Sequence, residues 1–512
     1  MSHQFHSLLL AIIGMMAVTP ANWAANRRAD LLMPRSLERM GLERQWRTHI
    51  TVDSSRGGIA FITPHVSSTR SRSVFEVTSD QEQLQRFSQD QWRHLGPLGA
   101  RAEAERQAGI AARVLQSLGR PAKVTELSIP EVTLHVVSDR GRMQILNAAS
   151  GRTIWSSEVG NPNYPMLSPG VSESFVAVVN GSTLYVLNRE TTKLVWKRAL
   201  TGLPVAGPTL NDEYVLVPLR GGSVEIFKMD EASYLPAKSL ASSGVCVGKP
   251  YISDETISWA TVSGFVYVTK LRDFRSQFRF ETGSPIVKGM SHGSDSAIIV
   301  ATENGHVYSF DESSKKTNWF HFSGEEILAK PLVIDNAVYI LSYHGGLARL
   351  DTGTGQLQWE STGIQKIVSA SRSRLYVLDE MGQMVCVDAT TGLRLTAASV
   401  NGLNLFLENT VTDRLYIGTY SGQLICLRQA DLVWPEIHRP LASQQEKETT
   451  STAAGSRAED SATEPSDDET DPFAEEADPF SEDNGPADGE DEVDPFGGDE
   501  NPFADDSEDP FG

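Results

Sequence analysis

Cysteine is scarce in this chain of 512 residues: three, at Cys246, Cys386 and Cys426, stand far apart. That spacing excludes a disulfide framework and any CxxC metal or redox pair. Long apolar runs are also missing. The longest, at residues 8–18, has eleven residues, against the ~20 that a membrane-spanning helix needs. Catalytic signatures are absent as well. The eleven histidines are scattered, and no HExxH, GxSxG, Walker-type GxxxxGK[ST] or strand-linked GxGxxG occurs. His306 and His344 lie beside turns, and the pairs Asp230-Glu231 and Glu325-Glu326 fall in loops. Nothing in the pattern brings them together.

Excess positive charge is lacking too, and the negative charge is unevenly placed. The formal charge is −21, but residues 441–512 hold 25 acidic residues against Lys447 and Arg457 alone. The remainder carries roughly +2, which gives no electrostatic case for nucleic acid. The short run at 8–18, followed by the small residues Thr19, Ala21 and Ala24, reads as a signal-peptide core within residues 1–25. It predicts an exported, periplasmic or secreted protein with no other membrane span.

What the chain does have is a repeat. A turn glycine, an apolar residue two positions on and another five positions on recur from Gly141, Gly222, Gly264, Gly305, Gly345, Gly382 and Gly422. An eighth copy starts at Ser182, and the spacings are 41, 40, 42, 41, 40, 37 and 40 residues. An aromatic stands 14 residues past the anchor at Trp155, Trp196, Phe278, Trp319 and Trp359. Between anchor and aromatic sits an Asn- or Asp-led turn, such as Asp351-Thr352-Gly353-Thr354-Gly355. Ahead of the anchors come continuous β-branched runs, for example residues 175–179, 214–218 and 337–341. Unbroken apolar runs mean strands covered on both faces.

A sheet of about 40 residues cannot cover both of its own faces, so neighbouring sheets must do it. The prediction is an all-β, eight-bladed propeller over residues 44–434, seven blades being the alternative, with the aromatics filling the seams. The first blade is expected to start at Gln45-Trp46, pass through residues 58–62 and resume at 132–137. An insertion at about 67–130 interrupts it. Inside lies a strand at 73–77 and a helix over about 98–118, with Ala104, Ala108, Ala111, Leu115 and Leu118 on one face. That face is expected to pack flat on the propeller, as a partner-docking excursion or as a structural insert.

From residue 440 onward the repeat stops, and Ser, Thr, Glu, Asp, Gly and Pro dominate. Such a segment cannot bury enough apolar surface to offset chain entropy and is expected to stay disordered. Its one motif is Asp/Asn-Pro-Phe, with Phe473, Phe480, Phe496, Phe503 and Phe511 as candidate binding residues. Five weak contacts gain strength through effective concentration. A basic or aromatic-pocketed partner and a merely solvating extension are both open readings.

The run Asp351 to Trp359 resembles the PQQ-like repeat family, whose hallmark is D-x-x-T-G-x-x-x-W, and residues 147–155 nearly match it. Residues 388–392 keep only the turn. The resemblance implies two branches. Quinoprotein alcohol dehydrogenases hold PQQ and calcium on the propeller axis, and many carry a vicinal disulfide that has no counterpart here. BamB-type proteins are periplasmic scaffolds of outer-membrane barrel assembly; they are lipoproteins, whereas this sequence has no lipobox cysteine, and they lack the insertion and tail. The expectation is an exported, non-catalytic scaffold that binds protein partners in the cell envelope and needs no cofactor. A PQQ-dependent oxidoreductase is the alternative.

Overall fold

A computed structural model describes residues 34–438 except 53–56, 80–81, 233, 254, 275–276, 294–295 and 345. The apolar run at residues 8–18, the acidic segment with its five Phe residues, and Gly345 lie outside the described residues. Eight separate sheets follow one another along the chain. Blade 2 shows the plan: Gly170–Val171, Phe175–Asn180, Thr183–Asn188 and Leu194–Ala199 form an antiparallel meander. Blade 3 runs from Thr209–Leu210 to Lys238–Ala241 and blade 4 from Cys246–Ile252 to Gln277–Glu281. Blade 5 runs from Met290–His292 to Lys316–Phe322, blade 6 from Leu332–Ile334 to Leu357–Ser361, and blade 7 from Ile364–Ala370 to Arg394–Ser399.

The second strands carry the unbroken apolar runs and are buried nearly end to end, as in Phe175–Asn180 and Tyr214–Leu219. Their side chains meet across sheets, so the core lies in the seams. Val179 and Val186 of blade 2 pack on Val215 and Val217 of blade 3. Ile299 and Val307 of blade 5 pack on Val338 and Leu350 of blade 6. Each such aliphatic side chain contributes roughly 1.5–3 kcal/mol through burial.

Ring closure departs from the expectation. Leu42–His49, with Gln45 and Trp46, does not open blade 1. It is the outer strand of blade 8, paired antiparallel with Gln423–Gln429, beside Leu415–Gly418 and Leu405–Phe406. The N-terminal strand thus completes the last blade and closes the ring. Just before it, Leu37 and Met40 fill the seam between blades 7 and 8 against Tyr376, Met384 and Leu427.

Blade 1 also differs from the plan. Its inner strands do not break at the insertion. Ile59–Ser79 and Lys123–Ser138 pair almost throughout and run past the blade as an arm, to which Glu82–Ser88 adds a third strand. Arg142–Asn147 and Thr153–Glu158 complete the blade. One irregularity marks where blade becomes arm: residues 67–70 bulge out between the pairs Val66↔Val132 and Ser71↔Pro130. The helix is Gly96–Ser117, and it lies on the arm instead of the propeller. Ala104, Ala108 and Ala112 pack on Phe75 and Val77, with Ala111 and Leu115 half-buried and Leu118 exposed. A helix face of alanines lets the backbone approach the arm closely, which the larger Leu118 beyond the helix end cannot join.

The meander sorts the connections onto two faces. Hairpins between second and third strands, and links to the next blade, lie on what we call the hairpin face. The Asn/Asp-led turns, the first-to-second-strand loops and the arm lie on the turn face.

Candidate protein-binding surface

The repeat residues come together at the blade seams. Trp155, Trp196, Trp319 and Trp359 sit in fourth strands, and each indole N–H donates to a carbonyl in the following blade. The acceptors are Arg189 O at 3.3 Å, Met229 O at 3.2 Å, Thr352 O at 2.8 Å and Ala389 O at 3.1 Å. Every acceptor follows the third strand by one residue. A fifth indole does the same: Trp46 donates to Ala148 O at 2.7 Å, latching blade 8 to blade 1. Sequence reasoning placed Trp46 in the wrong blade because its repeat anchor, Gly422, lies at the other end of the chain.

The indole rings of Trp46, Trp319 and Trp359 cover the turn glycine of the next blade. A Cβ on Gly355 would stand 2.4 Å from a ring carbon of Trp319, and one on Gly392 would stand 2.6 Å from Trp359. Both glycines also have positive φ. The Asp or Asn that opens the turn holds it together: Asp351 Oδ1 accepts from the backbone N–H of Gly353 and Thr354 and from the Thr354 hydroxyl. Phe278 lies in the fourth strand of blade 4, half-buried, under the Lys315 ammonium at 4.7 Å. The anchors Gly141, Gly222, Gly264, Gly305, Gly382 and Gly422 all take positive φ, and beside the undescribed Gly345 the same role falls to Gly346. These residues build the ring and leave no reactive group exposed.

The hairpin face carries a different surface. A groove of 940 Å3 runs over blades 2 to 4, lined by Tyr164, Pro165, Leu203, Pro204, Arg220 and Val245 among others. Tyr164, Leu203 and Val245 are exposed there. Tyr343, Met381 and Tyr420 project from hairpins on the same face. Clustered exposed apolar side chains mark a surface that other molecules cover. The prolines after Tyr164 and Leu203 disfavour a helical backbone at those residues. The recurring Tyr-Pro and Leu-Pro dipeptides were a sequence signal for this groove.

The axis is lined differently. A cavity of 250 Å3 has Lys249, Lys330, Thr209, Ser291 and His292 in its wall. Burial, with Lys330 nearby, pushes the Lys249 ammonium down to about 8, and its Nζ donates to Pro169 O at 2.8 Å. Burial raises the Glu408 carboxyl against the opposing pull of Lys330 and Lys366. An axis lined by lysines is a poor cradle for a calcium ion, which needs several oxygen ligands and their negative charge. Among the described residues no three His, Cys, Asp or Glu side chains cluster as a metal site. The cysteines are buried singly: Cys246 in blade 4, and Cys386 and Cys426 in the third strands of blades 7 and 8. Burial raises all three thiols, which suppresses the reactive thiolate. His306 and His344 both sit on the hairpin face; His306 bonds Asn304 Oδ1, and His344 stands 3.9 Å from Glu325.

On the turn face Glu173 of blade 2 grips the bulge of the arm. Its carboxylate accepts from Ser67 Oγ at 2.7 Å, Ser68 N at 2.5 Å and Thr69 Oγ1 at 3.1 Å, and pairs with buried Arg189 at 3.3 Å. Burial alone would raise this carboxyl, but the hydrogen bonds from Ser67 and Ser68, with His65 Nε2 at 3.7 Å, outweigh it and hold it well below the usual range.

A family model described as outer membrane protein assembly factor BamB matches residues 138–233 and 272–431, half of the chain. The outer membrane protein assembly factor BamB of Yersinia pestis is 24% identical over 291 residues, covering 54% of this chain and 66% of the relative. That of Moranella endobia is 23% identical over 288 residues, covering 49% and 72%. The chain therefore spans just under two thirds of the Yersinia relative's length. Among solved structures, BamB from Moraxella catarrhalis aligns with a TM-score of 0.46 at 16% identity, over 58% of this chain and 91% of that one. The computationally designed Ika8 protein aligns with a TM-score of 0.45 at 13% identity, over 57% and 92%.

Proposed function

The chain belongs to the BamB family of PQQ-like propellers, and from that premise we propose that it is a non-catalytic scaffold that binds protein partners in the cell envelope, exported to the periplasm or secreted. The observation that carries this reading is the hairpin-face groove, with Tyr164, Leu203 and Val245 exposed from three successive blade links. Exposed aromatic and aliphatic side chains on a rigid ring suit a loop or extended segment of another protein, since ordering the partner is then the main entropic cost. Arg220 at the groove edge supplies a point of charge for register. The apolar run at residues 8–18 supports export. The singly buried cysteines and the lysine-lined axis weigh against a quinone-and-calcium enzyme.

Proximity labelling from the full chain tests this reading. The expected result is recovery of envelope proteins, lost when Tyr164 and Leu203 are both replaced by Ser in a chain that still folds. Reconstitution with PQQ and calcium that yields cofactor-dependent dye reduction would overturn it.

A further inference from the structure

A second cavity, of 430 Å3, lies on the turn face, walled by the arm, blade 8 and the segment after blade 8. That segment is pinned in place. Val433 O accepts from Arg414 Nη2 at 2.7 Å, Glu436 N donates to Asp413 Oδ1 at 3.0 Å, and His438 N donates to Val411 O at 3.0 Å. Trp434 then reaches the arm: its N–H donates to Glu76 Oε1 at 2.8 Å, and the guanidiniums of Arg72 and Arg86 stand 5.6 and 5.7 Å from its ring centre. The cavity is therefore a built space between fixed walls, and its volume is in the range of ligand pockets.

Five arginines line it: Arg70, Arg72, Arg93, Arg414 and Arg428. The lining acids are Asp90 and Glu131. Some of the positive charge is matched. Arg414 pairs with buried Asp413 at 2.5 Å, Arg70 with exposed Glu190, and Arg428 with Glu43 through Nη2. The matching is incomplete in two places. Asp90 alone serves both Arg72, at 2.7 Å, and Arg93, at 3.0 Å. Arg428 Nη1 is buried with no hydrogen-bond partner, a state that costs the full desolvation of a charged donor. Between the arginines the wall is apolar or aromatic, with Pro130, Val132, Tyr416, Val433, Trp434 and Pro435.

We propose that this cavity binds an acidic peptide of the Asp-Pro-Phe kind, its carboxylate on Arg93 and Arg428 and its phenyl ring on the apolar wall. The unmatched Arg428 Nη1 and the Arg93 guanidinium, which shares Asp90 with Arg72, supply charge-assisted donors to a carboxylate, and a proline between acid and ring fixes their separation at little entropic cost. A compact, half-apolar pocket does not suit a nucleic acid, which needs a track of phosphate contacts. A free phosphate would leave the apolar wall unused. This sequence itself carries the ligand chemistry at 471–473, 478–480, 494–496 and 509–511, with an Asn variant at 501–503. The proposal does not depend on the scaffold reading, which concerns the opposite face.

The test uses the full chain with its five tail phenylalanines replaced by Ser, so that no copy competes with the probe. The probe is a fluorescent peptide of residues 476–483, followed by anisotropy at low salt. Saturable binding is expected. Arg93→Glu, at an exposed position, should weaken it at least about tenfold, as should Asp478→Asn or Phe480→Ala in the peptide. Arg428→Ala disrupts an ion pair, so it is read only alongside its melting temperature. No saturable binding, an unchanged affinity in the folded Arg93→Glu chain, or equal displacement by millimolar phosphate would each overturn the proposal.

Discussion

Two seams of the same ring are built differently. Between blades 6 and 7, buried Trp359 donates to Ala389 O and lies on Gly392, where a Cβ would stand 2.6 Å from the ring. Between blades 4 and 5 the ring is Phe278, which has no N–H to donate. The matching turn position is Lys315, with φ of 59°, whose ammonium covers the phenyl ring. Seam 3–4 inverts this arrangement: Lys238 stands in the fourth strand and covers Phe274 at 4.5 Å, and Phe274 holds the turn position with φ of 54°. The difference teaches how ring and turn fit at these two seams. The Trp359 indole lies on a bare glycine backbone and bonds a carbonyl, whereas the smaller Phe278 ring leaves room for the Lys315 side chain and is capped by its charge. Trp155 and Trp196 keep the carbonyl bond over turns that carry Thr192 and Ala232 instead of glycine. A cation over an aromatic contributes about 0.5–1 kcal/mol at exposed sites, less than a buried, hydrogen-bonded indole.

The largest expected effect separates these seams directly. Trp359→Ala should cost about 3–5 kcal/mol, and Phe278→Ala, at a half-buried ring, clearly less. Denaturant midpoints of the two variants measure this, and equal shifts would break the comparison. Next comes Gly392→Ala. The clash with Trp359 and the positive φ together should cost about 3 kcal/mol. Lys315→Gly should change stability by under about 1 kcal/mol, because relief of backbone strain offsets the lost cation–ring contact.

A smaller effect is expected where the arm meets blade 2. The Glu173 carboxyl is held below its ordinary range, so its contribution is fully present above the unfolded value of about 4.3 and is lost as pH falls further toward the folded value. Amide protection of residues 67–70 should therefore fall as pH drops below about 4. Glu173→Gln should remove that dependence and cost about 1–2 kcal/mol at neutral pH. The smallest effect is at Thr192, which holds the turn position of seam 1–2 with φ of 63°. Thr192→Gly should stabilise the chain by up to about 1 kcal/mol, read as a rise in the melting temperature.

The ring was legible in the sequence because its unit is local. Strand, hairpin, turn and Trp all fall within one repeat, so the phase between Gly305 and Trp319 survives as plain spacing. Closure was not legible, since Trp46 and Cys426 pair across 380 positions and no periodicity links them. The insertion was legible, but not that the inner strands of blade 1 continue into it as an arm, because those extensions are rich in Ser, Thr and Arg, without the unbroken apolar runs of the blades. Of the surfaces, the groove had a weak signal in Tyr164-Pro165 and Leu203-Pro204. The arginine cavity had none, because Arg93, Arg428 and Trp434 come from three segments that only the folded ring and arm bring together.

Closure by the N-terminal strand is the premise of the ring and of the arginine cavity, and a crosslink tests it. His49 and Gln423 face each other across blade 8, and directly opposed strand residues bring their Cβ atoms within disulfide range. A chain with His49→Cys and Gln423→Cys, mildly oxidised, should yield one intramolecular crosslink between these two positions by peptide mass mapping, with Cys246, Cys386 and Cys426 still reduced. Failure to join them in a folded chain, or a crosslink from position 49 to blade 1, would contradict the ring described above.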